Sequence, residues 1–184
     1  MKISKIASIC KKTARIHICT DEINNIQFIG DDSSLYLLHQ MPFLDDENIL
    51  SVFDVPLTEG IRELYEISSY DINDSSYNLK DTDAEEVPIT FFPCTIKAGK
   101  KEIVAFRYLE EQNEKIAFLD GKYLSPLSDI VSDNLYFYKR QYKNKSYIAC
   151  KEGLFLKAVM YFSKLDIAVY DFLKNIGEYL CRQI

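Results

Sequence analysis

The sequence predicts an α+β fold of antiparallel sheets in which a helix followed by three strands occurs twice, giving pseudo-two-fold repeats. Its 184 residues include 13 Tyr and 11 Phe but only six Gly and five Pro, a balance typical of sheet-rich domains. The helix–three-strand pattern appears at both ends of the chain. An amphipathic C-terminal helix follows the second copy.

The first copy occupies residues 1–43. Ile6, Ile9 and Cys10 share one face of a predicted helix over residues 4–12, while Lys5 and Lys12 share another. Alternating apolar and polar residues then predict strands over 14–19, 26–30 and 34–40, with turns at 24–25 and 30–33. Together these elements make a helix followed by three strands.

Residues 44–87 are predicted to be an acidic insertion of helices and loop. Residues 44–86 contain 13 acidic and two basic side chains. A short helix is expected at 47–54, a second from Thr58 to about Ser68, and an exposed loop over 68–86. The loop does not fit an EF-hand, because Ser76 and Thr82 stand where glycine and glutamate are needed. No metal or cofactor is predicted.

The second copy closes a predicted single domain over residues 1–164, with 88–164 as its second repeat. Strands are expected at 89–97, 101–109 and 115–119, followed by a helix over 121–131 with Asp120 as its N-cap. Because proline is tolerated only in a first turn, Pro126 moves the expected helix start to Ser125. Strands at 134–140, 146–151 and 154–162 follow, and the turn at Gly153 matches the turn at Gly30.

Residues 165–184 are predicted to form the C-terminal amphipathic helix. Ser163 and Asp166 have the spacing of a capping box. Apolar side chains recur at helical spacing and would pack on the core or on another copy of the chain: Leu165, Val169, Phe172, Ile176 and Leu180.

The second copy resembles the last repeat of bacterial DNA sliding clamps, the polymerase processivity factors. The similarity lies in the run Asp120–Leu124 (DGKYL) and in the later strand that ends Ala158-Val159-Met160. Met41-Pro42 ends the first repeat in a similar way. The whole chain also resembles uncharacterised proteins of bacterial prophages and mobile elements. It departs from the clamps in lacking a strand before the first helix and in carrying the acidic insertion.

The resemblance implies a DNA-clamp-like fold whose repeat helices face the DNA backbone, with three chains forming a six-repeat ring. Contacts with duplex phosphates would then come from the first helix and residues close to its two ends: Lys2, Lys5, Lys11, Lys12 and Arg15. A second candidate is the basic hairpin, where cations alternate with tyrosines: Lys139, Arg140, Lys143 and Lys145. In both places the alternative is that the cations only solubilise a surface or protect a strand edge.

Catalysis is not expected. The five cysteines are widely spaced, which predicts reduced, buried thiols in a cytoplasmic protein. His17 and His39 lie on predicted strands without an orienting group, and no nucleotide-binding or hydrolase motif occurs. No apolar run is long enough to span a bilayer.

Two functional hypotheses follow. The first is a non-enzymatic clamp-like protein of a phage or mobile element that associates with duplex DNA or replication proteins, as a homo-oligomer. The alternative is a protein–protein interaction or regulatory module that uses the acidic segment 44–86 and does not bind DNA.

Overall fold

The computed structural model describes residues 1–39, 41–56, 58, 60–98, 101–128, 134–163, 171, 172, 174 and 175. The described part is mostly β-strand, with a few helices. The α-helices are α1 (Ile3–Thr13) and α2 (Ile49–Val52), and short 3₁₀ helices lie at Arg62–Leu64, Ile72–Asp74 and Gly121–Leu127. The strands are β1 (Arg15–Asp21), β2 (Ile26–Asp31), β3 (Ser34–Leu38), β4 (Glu66–Asp71), β5 (Val87–Ala98), β6 (Lys101–Glu110), β7 (Asn113–Asp120), β8 (Leu135–Tyr142), β9 (Lys145–Glu152) and β10 (Phe155–Tyr161).

All ten described strands belong to one sheet, in the order β4-β1-β2-β3-β10-β9-β8-β5-β6-β7. Its neighbouring strands pair antiparallel, except that β4 runs parallel to β1. The predicted antiparallel sheets are therefore one sheet, which contains a single parallel pair among its described strands. The strands of the two predicted repeats meet where β3 pairs with β10, with Leu35 opposite Val159.

One face of the sheet, the helix face, is covered by α1 and by the 3₁₀ helix Gly121–Leu127. These two helices touch, since the Lys2 amide donates a hydrogen bond to the Pro126 carbonyl oxygen at 2.9 Å. The Tyr36 hydroxyl of β3 donates to the Tyr123 carbonyl oxygen at 2.8 Å. Buried apolar side chains from both helices join the main core.

Helix α1 forms where the apolar spacing predicts it. Ile6, Ile9 and Cys10 are buried against the sheet, as their shared face requires. The helix ends at Ala14, whose φ of 54° is a left-handed conformation that stops helix propagation. Lys11 and Lys12 lie in the last turn, where positive charge complements the helix dipole.

The β7 edge of the sheet curls back toward the end of β10. The Ser163 amide donates to the Phe118 carbonyl oxygen at 2.7 Å. The rings of Tyr108 and Phe162 stack with centroids 6.5 Å apart. Apolar side chains of β5 to β10 are buried on the inside of this bend and belong to the main core.

The structure corrects the prediction for residues 58–86. In the described part of the helix expected over 58–68, only residues 62–64 are helical, and strand β4 takes the place of the expected helix end. The loop over 68–86 was expected to be exposed, yet residues 72–86, which we call the strap, cross the other face of the sheet. Tyr77 and Leu79 of the strap are buried in a second apolar cluster on this strap face.

The second repeat differs in smaller ways from its prediction. Its helix begins at Gly121 as a 3₁₀ helix, with Pro126 inside it, rather than at Ser125. Asp120 caps it as expected, because its carboxylate accepts a hydrogen bond from the Lys122 amide at 3.1 Å. Gly153 lies in a turn, but Gly30 lies within β2 and so does not match it.

Part of the predicted second helix and most of the predicted C-terminal helix lie outside the described residues. Residues 129–131 belong to this part, as do Leu165, Val169, Ile176 and Leu180. Asp171, Phe172, Lys174 and Asn175 are helical.

Candidate nucleic-acid interface

The solvent side of α1 is basic. Lys2, Lys5, Lys11 and Lys12 are exposed, whereas the opposite side of the helix is buried. The Lys11 ammonium donates to the Asp54 carbonyl oxygen at 3.0 Å, an acceptor without formal charge. Because residues 1–20 contain no acidic side chain, this helix presents positive charge to solvent.

Arg15 differs from the lysines of α1 because carboxylates neutralise it. Its guanidinium contacts Asp32 and lies 3.2 Å from a Glu66 carboxylate oxygen. His17 Nε2 also lies 2.6 Å from the second oxygen of Asp32. Burial would raise the pKa of Asp32, but hydrogen bonds from His17 and Arg15, together with their charges, lower the pKa overall. Arg15, a predicted phosphate contact, is therefore already paired with carboxylates of the chain.

The four cations of the predicted hairpin site do not share one surface. Lys139 and Arg140 are neighbours on β8 and so point to opposite faces of the sheet. Lys139 contacts Glu110 and lies 4.9 Å from the centroid of the Tyr108 ring, with 11% of its side chain exposed. Its charge is thus already paired within the chain.

Arg140, which the sequence predicts as part of a DNA-binding hairpin, is fully buried beneath the strap. Its Nε and Nη2 donate to a Glu86 carboxylate oxygen at 3.0 and 2.7 Å. Nη1 donates to the Lys80 carbonyl oxygen at 2.7 Å, and Nη2 to that of Asp81 at 2.9 Å. The strap therefore supplies the anionic and carbonyl oxygens that a buried guanidinium requires.

The strap is attached to the sheet at several further points. Lys151 Nζ donates to the other Glu86 oxygen at 2.8 Å. The Asn78 amide donates to the Tyr147 hydroxyl at 3.0 Å, and the Leu156 amide donates to the Asp81 carboxylate at 2.7 Å. Most of these bonds join residues more than 60 positions apart, so no local sequence pattern could have predicted them.

Lys143 and Lys145 lie at the exposed hairpin turn. Lys143 Nζ donates to the Ser75 carbonyl oxygen at 3.0 Å, which again ties the hairpin to the strap. Lys145 Nζ lies 5.6 Å from the centroid of the Tyr161 ring. Both side chains remain exposed at the strap's border.

Candidate nucleophiles are buried. Burial raises the pKa of the Cys10 and Cys150 thiols far above the usual value and raises the pKa of Cys19 to about 11. Such thiols remain protonated at neutral pH and are poor nucleophiles. These three cysteines are free and buried, as predicted; the Cys94 side chain and Cys181 lie outside the described residues.

Two clusters of side chains in the structure were not predicted from the sequence. One is the cluster of Arg15, His17, Asp32 and Glu66, assembled by pairing β1 with the distant β4. The other is the contact of Glu86 with Arg140 and Lys151. Neither resembles a metal site, and no group of three or more His, Cys, Asp or Glu side chains within the described ranges could hold a metal ion.

Comparison of the chain with protein-family models, with curated proteins and with solved structures finds no match. Among the described helices, none is long and apolar enough to cross a membrane.

Proposed function

We propose that this chain is a non-enzymatic, clamp-like protein of a phage or mobile element that associates with duplex DNA through the basic face of α1. Three chains would supply the six repeats of a ring around the duplex. Replication proteins are its expected partners. The observation that carries the proposal is the exposed lysine face of α1, a helix whose own sequence includes no acidic residue.

The arrangement of the strands supports a clamp-like pair of repeats. The order β1-β2-β3 on one side of the β3–β10 pair is matched by β8-β9-β10 on the other side. A helix precedes each set of three strands, and the two helices lie together on one face. In the sliding clamps that the sequence resembles, the helices of the repeats face DNA.

The spacing of the lysines suits a phosphate backbone. Lys5 and Lys12 are seven residues apart, which places them two turns apart on the same side of α1, about 10 Å along the axis. Ser8 lies between them and is also exposed. Such contacts are independent of base sequence and weaken as salt displaces the protein from the phosphates.

Reversal of two charges on α1 tests the proposal. In Lys5→Glu with Lys12→Glu, we expect duplex DNA binding at low salt to be lost or strongly weakened. The slope of log K against log salt should fall by about 0.9 for each phosphate contact removed. Fluorescence anisotropy with a labelled duplex, measured across a salt series, gives both quantities.

A matched control reverses two lysines away from α1. Lys101→Glu with Lys115→Glu changes the net charge equally, on exposed positions of β6 and β7. The proposal requires these changes to leave most of the binding intact. Equal losses in the two double variants would show a general effect of net charge and would contradict a site on α1.

A second candidate function is a protein–protein interaction module in the acidic insertion. It is favoured by exposed apolar side chains in the insertion and just before it: Met41, Phe43 and Val52 are each almost 40% exposed, and the carboxylates of Asp46 and Glu47, between them in the sequence, are exposed too. Apolar side chains rimmed by charge are typical of partner surfaces. A protein that bound no duplex DNA at any salt concentration, yet formed complexes sensitive to Phe43→Ser, would favour this alternative.

A further inference from the structure

The strap face of β8 and β9 carries an alternating pattern of cations and aromatic rings. Tyr138, Arg140 and Tyr142 occupy alternate positions on β8 and therefore share a face. In the register of the hairpin, Arg140 stands opposite Tyr147, and Tyr142 stands opposite Lys145. Guanidinium and ammonium groups between aromatic rings are the chemistry that binds single-stranded nucleic acid, through phosphate contacts and base stacking.

The strap gives these cations negatively charged and carbonyl oxygens, as the phosphates of a nucleic-acid strand would give them oxygens. It contains five acidic residues and one lysine. One carboxylate, Glu86, is shared by the Arg140 guanidinium and the Lys151 ammonium, in the way that a phosphate is shared by two cations. Carbonyl oxygens of the strap satisfy the remaining donors of Arg140.

The strap also supplies a stacked ring. Tyr77 stacks on Tyr161 with ring centroids 4.4 Å apart and planes 28° apart. The edge of its ring meets Tyr147 at 5.1 Å. Its hydroxyl is buried and has no hydrogen-bond partner, so the ring is held by stacking and burial rather than by its polar group. A base would be held on Tyr161 in the same way.

We propose that residues 72–86 are an internal ligand that occupies a binding surface for single-stranded nucleic acid on β8, β9 and β10. The bound strand displaces the strap, its phosphates replace Glu86 and the strap carbonyls at Arg140 and Lys151, and a base replaces Tyr77 on Tyr161. Lys143 and Lys145 provide the first contacts, because they are exposed at the strap's border. The site lies on the opposite face of the sheet from α1 and is separate from the duplex contact proposed above.

A single substitution weakens the internal ligand. Glu86→Gln keeps the size of the side chain but removes the charge shared by Arg140 and Lys151. Glu85→Gln is the matched control, since Glu85 is the adjacent residue and its side chain is exposed. Binding of labelled oligothymidine and oligouridine strands of about 12 nucleotides is measured by anisotropy.

We expect Glu86→Gln to bind at least one strand about tenfold more tightly than the parent or Glu85→Gln, the usual scale of a coupling between competing contacts. The thymidine and uridine strands show whether DNA, RNA or both are taken. Adding Lys145→Gln to Glu86→Gln should reverse the gain. Equal affinities of Glu86→Gln and Glu85→Gln for both strands would overturn the proposal.

A second measurement uses the unaltered chain and stands even if Glu86→Gln does not fold. The amides of Asn78 and Leu156 donate hydrogen bonds between strap and sheet, so their hydrogen exchange reports whether the strap is closed. Saturating oligonucleotide should accelerate exchange at both amides. Unchanged exchange with strand bound would show that binding occurs elsewhere and would overturn the proposal.

The hydrogen-exchange result does not depend on whether α1 binds duplex DNA. In Lys5→Glu with Lys12→Glu, the face of α1 is altered but the strap contacts are intact, so accelerated exchange with single strands should persist. Loss of duplex binding together with retained strap opening would support both proposals. Strap opening in a chain that never binds duplex would support this site and contradict only the role of α1.

Discussion

Asp32 is the residue on which the charges of β1 converge. Its two carboxylate oxygens contact different partners, Arg15 and His17, both from the same face of β1. Glu66 of β4 adds a second carboxylate to Arg15. The residue therefore connects the β2–β3 turn to the β1–β4 edge of the sheet.

Asp32 should make the stability of the fold depend on pH in the acidic range. Its pKa is lowered in the folded chain, so its contribution is complete above the unfolded pKa of about 4 and is lost as the pH falls through the folded value. We expect Asp32→Asn to reduce the urea midpoint at pH 7, and the difference from the parent to shrink steadily below pH 4.

Glu22→Gln serves as the control, because Glu22 is an exposed carboxyl in the β1–β2 turn. Its unfolding midpoint should follow that of the parent throughout the titration. A difference between Asp32→Asn and the parent that stayed constant down to pH 2 would show that the carboxylate charge does not matter.

The strap is the element that departs most from expectation. Its acidic, irregular sequence predicts a solvated loop, yet two apolar residues separated by one position, Tyr77 and Leu79, insert into the strap-face cluster. Its Glu86 carboxylate is paired with two distant cations, Arg140 and Lys151. The acidic segment is therefore partly an internal structural element, which reduces the surface available to an external partner.

The hydroxyl of Tyr77 provides a test of strap packing. This oxygen is buried without a partner, and an unsatisfied buried polar group is destabilising. Tyr77→Phe should therefore raise the free energy of unfolding by about 1 kcal/mol. Urea unfolding followed by circular dichroism measures the change.

Tyr147→Phe is the matched control, because the Tyr147 hydroxyl accepts from the Asn78 amide at 3.0 Å and lies 3.2 Å from its carbonyl oxygen. Its removal should lower the free energy of unfolding by about 1 kcal/mol. A Tyr77→Phe variant as destabilised as Tyr147→Phe would mean that the Tyr77 hydroxyl is satisfied in solution.

Strands in which apolar and polar residues alternate strongly were predictable from the sequence, whereas strand β4 was not. Nine of the strands lie where apolar alternation and turn residues place them. Strand β4, with the sequence Glu66-Ile67-Ser68-Ser69-Tyr70-Asp71, is polar and lies at the sheet edge. It forms by pairing with β1, about 50 residues away, and no local pattern predicts such a parallel pairing.

In the candidate sites too, features that depend on neighbouring residues were predictable from the sequence, and features that depend on distant contacts were not. The exposed lysines of α1 follow from helical spacing, so the sequence alone placed them on one face. The burial of Arg140 depends on Glu86, which is 54 positions earlier in the chain. Side chains that look like a basic hairpin in the sequence become internal partners once the strap folds over them.

At the scale of the whole molecule, charge is separated along the chain. The net charge is −6, but the charged side chains of residues 1–20 are all basic, whereas residues 44–86 contain 13 acidic side chains. Such separation would orient a polyanion toward α1. The acidic total is therefore compatible with a duplex-binding face.

The mass of the protein in solution tests the central claim, a ring of three two-repeat chains, most directly. Light scattering across a range of concentrations gives the absolute mass without a reference protein. We expect a stable species with three times the mass of one chain, persisting on dilution. A monomer or dimer at every concentration would contradict the ring.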